Sequence, residues 1–291
     1  MPAFDFCKFH GFGNDYIVIE SETLPADTDI SGLARAMCER NTGVGSDGIA
    51  LIERSEKADF LCRIINPDGS EAGFSGNGTR CAVAYLYFRG KWEDEKLRLE
   101  TLSGVKDYTF LGRSGNSFRF LAELGSPRFA SRDIPFLPDS SGTKLEEVID
   151  HPVSAGVRNL KVTLVNVGNP VCAVFVDDFD FNWRRVGRKL ESHPQFPERT
   201  NVVFVKVGDR ERIEIRIWER GAGETSSSGT CSIAAAVVSA HTGKTERRVS
   251  VEAPGGTTEA VWREDGEMLI EGTAELAFCG TYEFLYRDEG E

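Results

Sequence analysis

The amino-acid sequence predicts an α+β fold of two pseudosymmetric domains built by internal duplication, residues 1–126 and 127–273, each a curved, mainly antiparallel sheet around one central helix. Three observations carry this. Three landmarks recur in the same order in both halves, each half holds one helix pattern that is apolar nearly all round, and the remaining segments are short and β-rich. A chain of 291 residues, 40% hydrophobic and 27% charged, is long enough to bury two cores.

The first landmark is a polar loop leading into a strand. Gly13-Asn14-Asp15 precedes Tyr16-Ile17-Val18-Ile19, and Gly168-Asn169-Pro170 precedes Val171-Cys172-Ala173-Val174-Phe175-Val176. The second is a Gly-rich turn with a glutamate, Glu71 or Glu224, four residues before a Ser-Gly pair, Ser75-Gly76 or Ser228-Gly229. A helix follows each turn, over residues 77–87 and 230–238, and stops at Gly90 or Gly243. The third is a strand and turn, residues 97–104 and 249–256. Asn14 to Asn169, Ser75 to Ser228 and Glu100 to Glu252 are separations of 155, 153 and 152 residues, a near-constant offset that chance similarity of glycine-rich loops does not explain. Residues 117–121 and 212–218 read as further strands. The Pro-, Ser- and Arg-containing stretch 125–138 reads as the linker.

Composition excludes several classes of function. A net charge of -12 with no long basic run argues against nucleic acid or an anionic membrane as partner. No stretch approaches the ~20 apolar residues of a membrane helix, and residues 1–10 lack a signal-peptide core, which predicts a cytoplasmic protein. Seven scattered cysteines without a CxxC pair predict reduced thiols and neither a disulfide framework nor a zinc site. With His10, His151, His193 and His241 also far apart, no metal is expected.

Ser75 and Ser228 each stand at the mouth of a helix, after glycines that let the backbone approach closely and before amide donors at the positive end of the helix dipole. One such serine alone reads as a simple N-cap. A pair in duplicated turns reads as a site for the carboxylates, or the developing charge, of one small ligand.

The two turns also carry a family resemblance. Asn66-Pro67-Asp68-Gly69-Ser70-Glu71-Ala72 with Gly76-Asn77-Gly78-Thr79-Arg80-Cys81, and Glu219-Arg220-Gly221-Ala222-Gly223-Glu224-Thr225 with Gly229-Thr230, resemble the two signatures of the diaminopimelate epimerase family. Residues 9–15, the 43–48 loop, Gly168-Asn169-Pro170 and Thr200-Asn201-Val202 fall in the family's order, so the resemblance covers essentially the whole chain. It implies a fold in which 274–291 complete the first domain, a homodimer, an amino diacid substrate and no pyridoxal cofactor. It further implies that Asn66, Asn201, Glu219 and Arg220 bind the distal amino acid centre, with Asn14, Asn169, Gly76-Asn77 and Gly229-Thr230 around the reacting end. The chemistry suits a dicarboxylate, because arginine pairs bidentately with a carboxylate and Glu219 can take an ammonium.

One departure clusters on proton transfer. The resemblance implies two catalytic cysteines, and Ser75 and Ser228 occupy those positions; Val171 stands where many members carry a histidine. A thiol ionises near ~8.5 and a helix mouth can lower it, whereas a serine acts as a base only when another group takes its proton. Glu71 and Glu224 are the nearest candidates in sequence for that relay. Three readings follow: an epimerase with relayed proton transfer, a lyase or other isomerase working on one face of an amino diacid, and a diacid-binding protein of weak or lost activity.

Overall fold

A computed structural model describes residues 3–139, 141–155 and 159–283 and divides into two compact units, residues 1–121 with 273–291, and residues 122–272.

In the first unit, β1 (Ala3–Gly11) and β2 (Asn14–Glu20) form a hairpin through Phe12 and Gly13. Both turn residues have positive φ, 56° and 85°, as a two-residue turn matched to strand twist requires. Helix α1 (Ile30–Cys38) crosses to β3 (Ile49–Glu53), parallel to β2; β4 (Phe60–Ile65) runs antiparallel to β3, and the two-residue β5 (Glu71–Ala72) turns back on β4. Helix α2 (Gly76–Phe88) then crosses to β6 (Lys96–Thr101), parallel to β4, and β7 (Gly104–Ser114) returns antiparallel before β8 (Ser117–Glu123). The sheet is therefore mixed, with parallel pairs wherever a helix makes the crossover.

Helix α2 is buried from Asn77 to Leu86 and packs on β1, β2, β3, β4 and β6. Its enclosure explains why its composition shows no polar stripe. A second core, with Phe4, Phe6, Ile17, Ile19, Ile49 and Leu51, packs beneath α1 through Leu33 and Met37.

The unit holds a disulfide between Cys7 and Cys279, which corrects the expectation that all seven thiols are reduced. The two residues are direct partners across the antiparallel pair of β1 and the last strand of the fold, 272 positions apart in sequence. Strand register makes them neighbours, and spacing along the chain carries no trace of it. Cys38, Cys62, Cys81, Cys172 and Cys231 are free and buried.

The second unit repeats the same order of pairings. It opens with β9 (His151–Ser154) on β10 (Asn159–Asn166), which is antiparallel to β11 (Pro170–Phe175). Helix α3 (Trp183–Glu191) leads to β12 (Asn201–Val207), parallel to β11, then β13 (Arg212–Glu219) and the short β14 (Gly223–Thr225), each antiparallel to the strand before it. Helix α4 (Gly229–His241), buried from Thr230 to Ser239, crosses to β15 (Arg248–Ala253), parallel to β13; β16 (Gly256–Trp262) and the start of β17 (Met268–Glu283) close the run antiparallel. Both buried helices end on the same device. Gly90 and Gly243 take φ of 63° and 71°, and the next residues, Lys91 and Lys244, donate backbone N–H to Leu86 and Ser239 carbonyls at 2.9 and 2.8 Å.

Residues 125–138 are not a linker. Arg128 bridges to Asn166, and Ile134 and Phe136 are buried in the core of this unit with Val162, Leu164 and Phe196. The apolar residues between the prolines outweigh the turn-forming composition. Among the described residues, no helix is long and apolar enough to cross a membrane.

Candidate active site

In the first unit, Ser75 is the N-cap of α2. Its extended backbone (φ −135°, ψ 119°) lets its Oγ accept the Gly78 N–H at 3.1 Å, while its carbonyl accepts the Thr79 N–H at 2.9 Å. The first-turn amides thus have no intrahelical carbonyl to bond, the ordinary origin of an anion site. A second contact was not foreseen from sequence: the Tyr16 hydroxyl, on β2, lies 2.8 Å from Ser75 Oγ.

A chain of side chains fixes the amides beside this serine. Buried Arg80, one turn into α2, donates to Asn77 Oδ1 at 2.9 Å; Asn77 Nδ2 donates to Asn14 Oδ1 at 3.2 Å; Asn14 Nδ2 donates to Asp47 Oδ2 at 2.7 Å. Asn14, Asn77 and Gly76 are therefore brought together. Burial lowers the pKa of Arg80, and among the described residues its Nε has no hydrogen-bond partner. Beyond Asp47, burial works to raise the Asp15 carboxyl, but hydrogen bonds from Arg40 and Lys8 outweigh it and hold it at about 2. Asn66 lies apart from this set in its own turn, donating to Ser70 Oγ at 3.0 Å.

In the second unit, Ser228 caps α4 in the same way, with φ −152° and ψ 118°; its carbonyl accepts the Ser232 N–H at 2.9 Å and its Oγ accepts the Cys231 N–H at 3.4 Å. Here the hydroxyl donates to Glu219 Oε2 at 3.0 Å, and Glu219 Oε1 accepts from Thr225 Oγ1 at 2.7 Å. Asn201 Oδ1 accepts the Arg220 N–H at 3.0 Å while its Nδ2 donates to the Pro170 carbonyl at 3.2 Å, so it ties the 168–170 loop, with Asn169, to the turn that carries Arg220. The Arg220 guanidinium donates to the Glu198 carbonyl at 3.1 Å. Buried Glu191, at the end of α3, accepts from Gly221 N at 2.7 Å and Trp218 Nε1 at 2.9 Å and so sets the path of that turn. Gly229 and Thr230 form the first turn of α4.

The expected relay through Glu71 and Glu224 is not the arrangement found. Glu71 receives both Nε and Nη2 of Arg63, at 2.9 and 2.8 Å, and those hydrogen bonds lower its pKa. Glu224 is held by Arg184, with Nη2 at 2.7 Å. Both glutamates sit on two-residue or three-residue strands, where alternation turns their side chains toward neighbouring arginines and away from the serine four positions on. Cys81 and Cys231 supply no thiolate, since burial pushes the Cys81 thiol up to about 12 and the Cys231 thiol well above its ordinary value. Among the described residues no cluster of His, Cys, Asp or Glu could hold a metal ion.

The fold is shared with solved proteins of low sequence identity. A phenazine biosynthesis protein of the PhzF family from Bacillus anthracis superposes with a TM-score of 0.70 at 17% identity, covering 98% of this chain and 100% of that one. A hydroxyproline epimerase from Agrobacterium vitis gives 0.69 at 14% identity, covering 99% and 93%. Within that fold, the family model of diaminopimelate epimerase matches residues 6–129 and 163–277. The chain is 40% identical over 282 residues to the diaminopimelate epimerase of Pelotomaculum thermopropionicum, covering 96% of this chain and 99% of that protein. The enzyme of Moorella thermoacetica is 38% identical over 279 residues, covering 95% and 98%. This chain belongs to the diaminopimelate epimerase family.

Proposed function

We propose that this protein interconverts LL- and meso-2,6-diaminopimelate without a cofactor, removing the α-proton from one face of the amino acid and returning a proton to the other. One contact carries the reading, the hydrogen bond from Ser228 Oγ to Glu219 Oε2. A serine accepts a proton only if another group takes its own. Glu219 is that group: as Ser228 receives the α-proton, its own hydrogen passes to the carboxylate, and the electron pair stays on the α-carbon. Ser75 serves the opposite face. The first-turn amides of α2 and α4 hold the charge that builds on the reacting carboxylate, and Arg220 pairs with the distal one. Asn14, Asn66, Asn77, Asn169 and Asn201 orient the substrate; the amides of Asn14, Asn66, Asn77 and Asn201 are already held by partners, which lowers the cost of binding. The reaction belongs to lysine and peptidoglycan precursor synthesis, and the reading extends to a cytoplasmic homodimer.

A second reading has one observation in its favour. Among the described residues, a carboxylate hydrogen-bonds Ser228 and none hydrogen-bonds Ser75, which also suits an isomerase that exchanges a proton on a single face. Incubation with LL-diaminopimelate in deuterium oxide separates the two. Epimerisation gives deuterium at the α-carbon together with the meso isomer. One-face chemistry gives deuterium with retained configuration, and absence of any exchange refutes both.

A further inference from the structure

Tyr16 takes no part in the proposal above, yet its hydroxyl lies 2.8 Å from Ser75 Oγ, nearer than the 3.0 Å between Ser228 Oγ and Glu219. Its placement is built in. Tyr16 is buried on β2, and two glycines make the slot for its ring: a Cβ on Gly78 would come within 2.9 Å of Tyr16 Cε1, and a Cβ on Gly48 within the same distance. Gly78 is also the residue whose N–H caps onto Ser75. The position equivalent to Gly78 in the other unit, three residues after the capping serine, is Cys231, and the position equivalent to Tyr16, two residues after the loop asparagine, is Val171. A ring therefore has room beside one serine and is replaced by two smaller side chains beside the other.

We infer that Tyr16 is a positioning residue for proton transfer through Ser75, donating its phenolic hydrogen to Ser75 Oγ so that this serine delivers its own hydrogen outward to the substrate. Ser75 Oγ has two lone pairs and one hydrogen. The Gly78 N–H takes one lone pair and the Tyr16 O–H the other, which leaves the Ser75 hydrogen to point away from both. In the transfer, the Ser75 O–H bond breaks and its proton forms the new bond to the carbanionic α-carbon; the Tyr16 proton moves to Ser75 Oγ, and the phenolate left behind is reprotonated by water. No alkoxide accumulates. A phenol ordinarily ionises near ~10, far more readily than an aliphatic hydroxyl, so it suits the proton-delivering side as a carboxylate suits the proton-removing side. In each unit the serine thus has a titratable group at its hydroxyl, Glu219 in one and Tyr16 in the other.

The inference rests on the epimerase reading, and a double-mutant cycle tests it apart from that reading. Tyr16→Phe keeps the ring in its slot and removes only the hydroxyl. It is expected to slow α-proton exchange about 100-fold with calorimetric binding of the diacid retained, and to abolish the loss of rate that titration of a phenol produces in the alkaline limb of the pH profile. In a Ser75→Cys background the same change is expected to cost no more than about twofold, because a thiol ionises by itself. A loss of equal size in both backgrounds means that the hydroxyl serves packing, and overturns the inference. So does a Tyr16→Phe protein that exchanges as fast as its parent. A parent that binds the diacid and exchanges no proton overturns the inference and the epimerase reading together.

Discussion

The mouths of α2 and α4 share a backbone and differ in what reaches their serines. Both serines are extended N-caps, both accept the amide three residues on, and both helices are buried and end on a left-handed glycine. Yet Ser75 meets a phenol and Ser228 a carboxylate. The positions that supply these partners are exchanged: nine residues before its serine, the first unit has Asn66 where the second has Glu219, and at the start of the strand after the polar loop the first has Tyr16 where the second has Val171. Duplicated backbone can therefore hold unequal chemistry, and the inequality suits a reaction that needs a base and an acid at once.

The largest effect should come from the carboxylate. Glu219→Gln keeps the shape but cannot take the Ser228 proton, and should lower the rate of α-proton exchange on the order of 10²–10⁴-fold in NMR assays. Adding Ser228→Cys should recover part of that loss, since the helix mouth stabilises a thiolate directly. A Glu219→Gln protein of undiminished rate would remove the chemical distinction between the two mouths.

Next in size is the disulfide, which belongs to the first unit alone. A disulfide typically contributes about 2–4 kcal/mol. Dithiothreitol should lower the stability of the first unit by that order, detected by hydrogen exchange at amides of β1 and β2, and leave the amides of α4 protected. Cys7→Ser should remove the sensitivity to reductant. Equal loss of protection in both units would show that they unfold as one.

Gly78→Ala probes the slot. The added methyl would lie 2.8 Å from Ile64 Cδ1 and 2.9 Å from Tyr16 Cε1, an overpacking expected to cost about 1–3 kcal/mol in denaturant titration. Displacement of the ring should also slow proton exchange. If exchange survives while stability falls, the Tyr16 hydroxyl has no bearing on Ser75.

How much of this was legible in the sequence follows from the range of the interactions. The two serine caps, the glycine stops at Gly90 and Gly243 and the strands beside them depend on residues a few positions apart, and turn and helix chemistry announces them. The contacts that define the site do not. Tyr16 stands in an apolar run, and nothing in that run says that β2 faces α2 across Gly78. Cys7 and Cys279 become neighbours only through strand register, and residues 125–138 carry a linker's composition while Ile134 and Phe136 fill a core. The sequence suggests Glu219 as a ligand for an ammonium, whereas its bond to Ser228 depends on the path of the β13–β14 turn.

The smallest expected effect discriminates between sequence proximity and contact. Glu71 and Glu224 are the carboxylates nearest the serines along the chain, and a relay through them would make each glutamine substitution as damaging as Glu219→Gln. The geometry argues otherwise. Arg63 occupies both oxygens of Glu71, and Arg184 both oxygens of Glu224, so neither carboxylate has a path to a serine hydroxyl that does not first break an ion pair. Both pairs lie toward solvent, where such interactions contribute little to stability. Glu71→Gln and Glu224→Gln should therefore each leave α-proton exchange within about twofold of the parent, and their effects should add with that of Tyr16→Phe, as those of sites without shared partners do. A loss of 100-fold or more in either, on the order expected for a lost proton-transfer group, would return the relay to the neighbour in sequence and leave the Tyr16 and Glu219 contacts as structural caps.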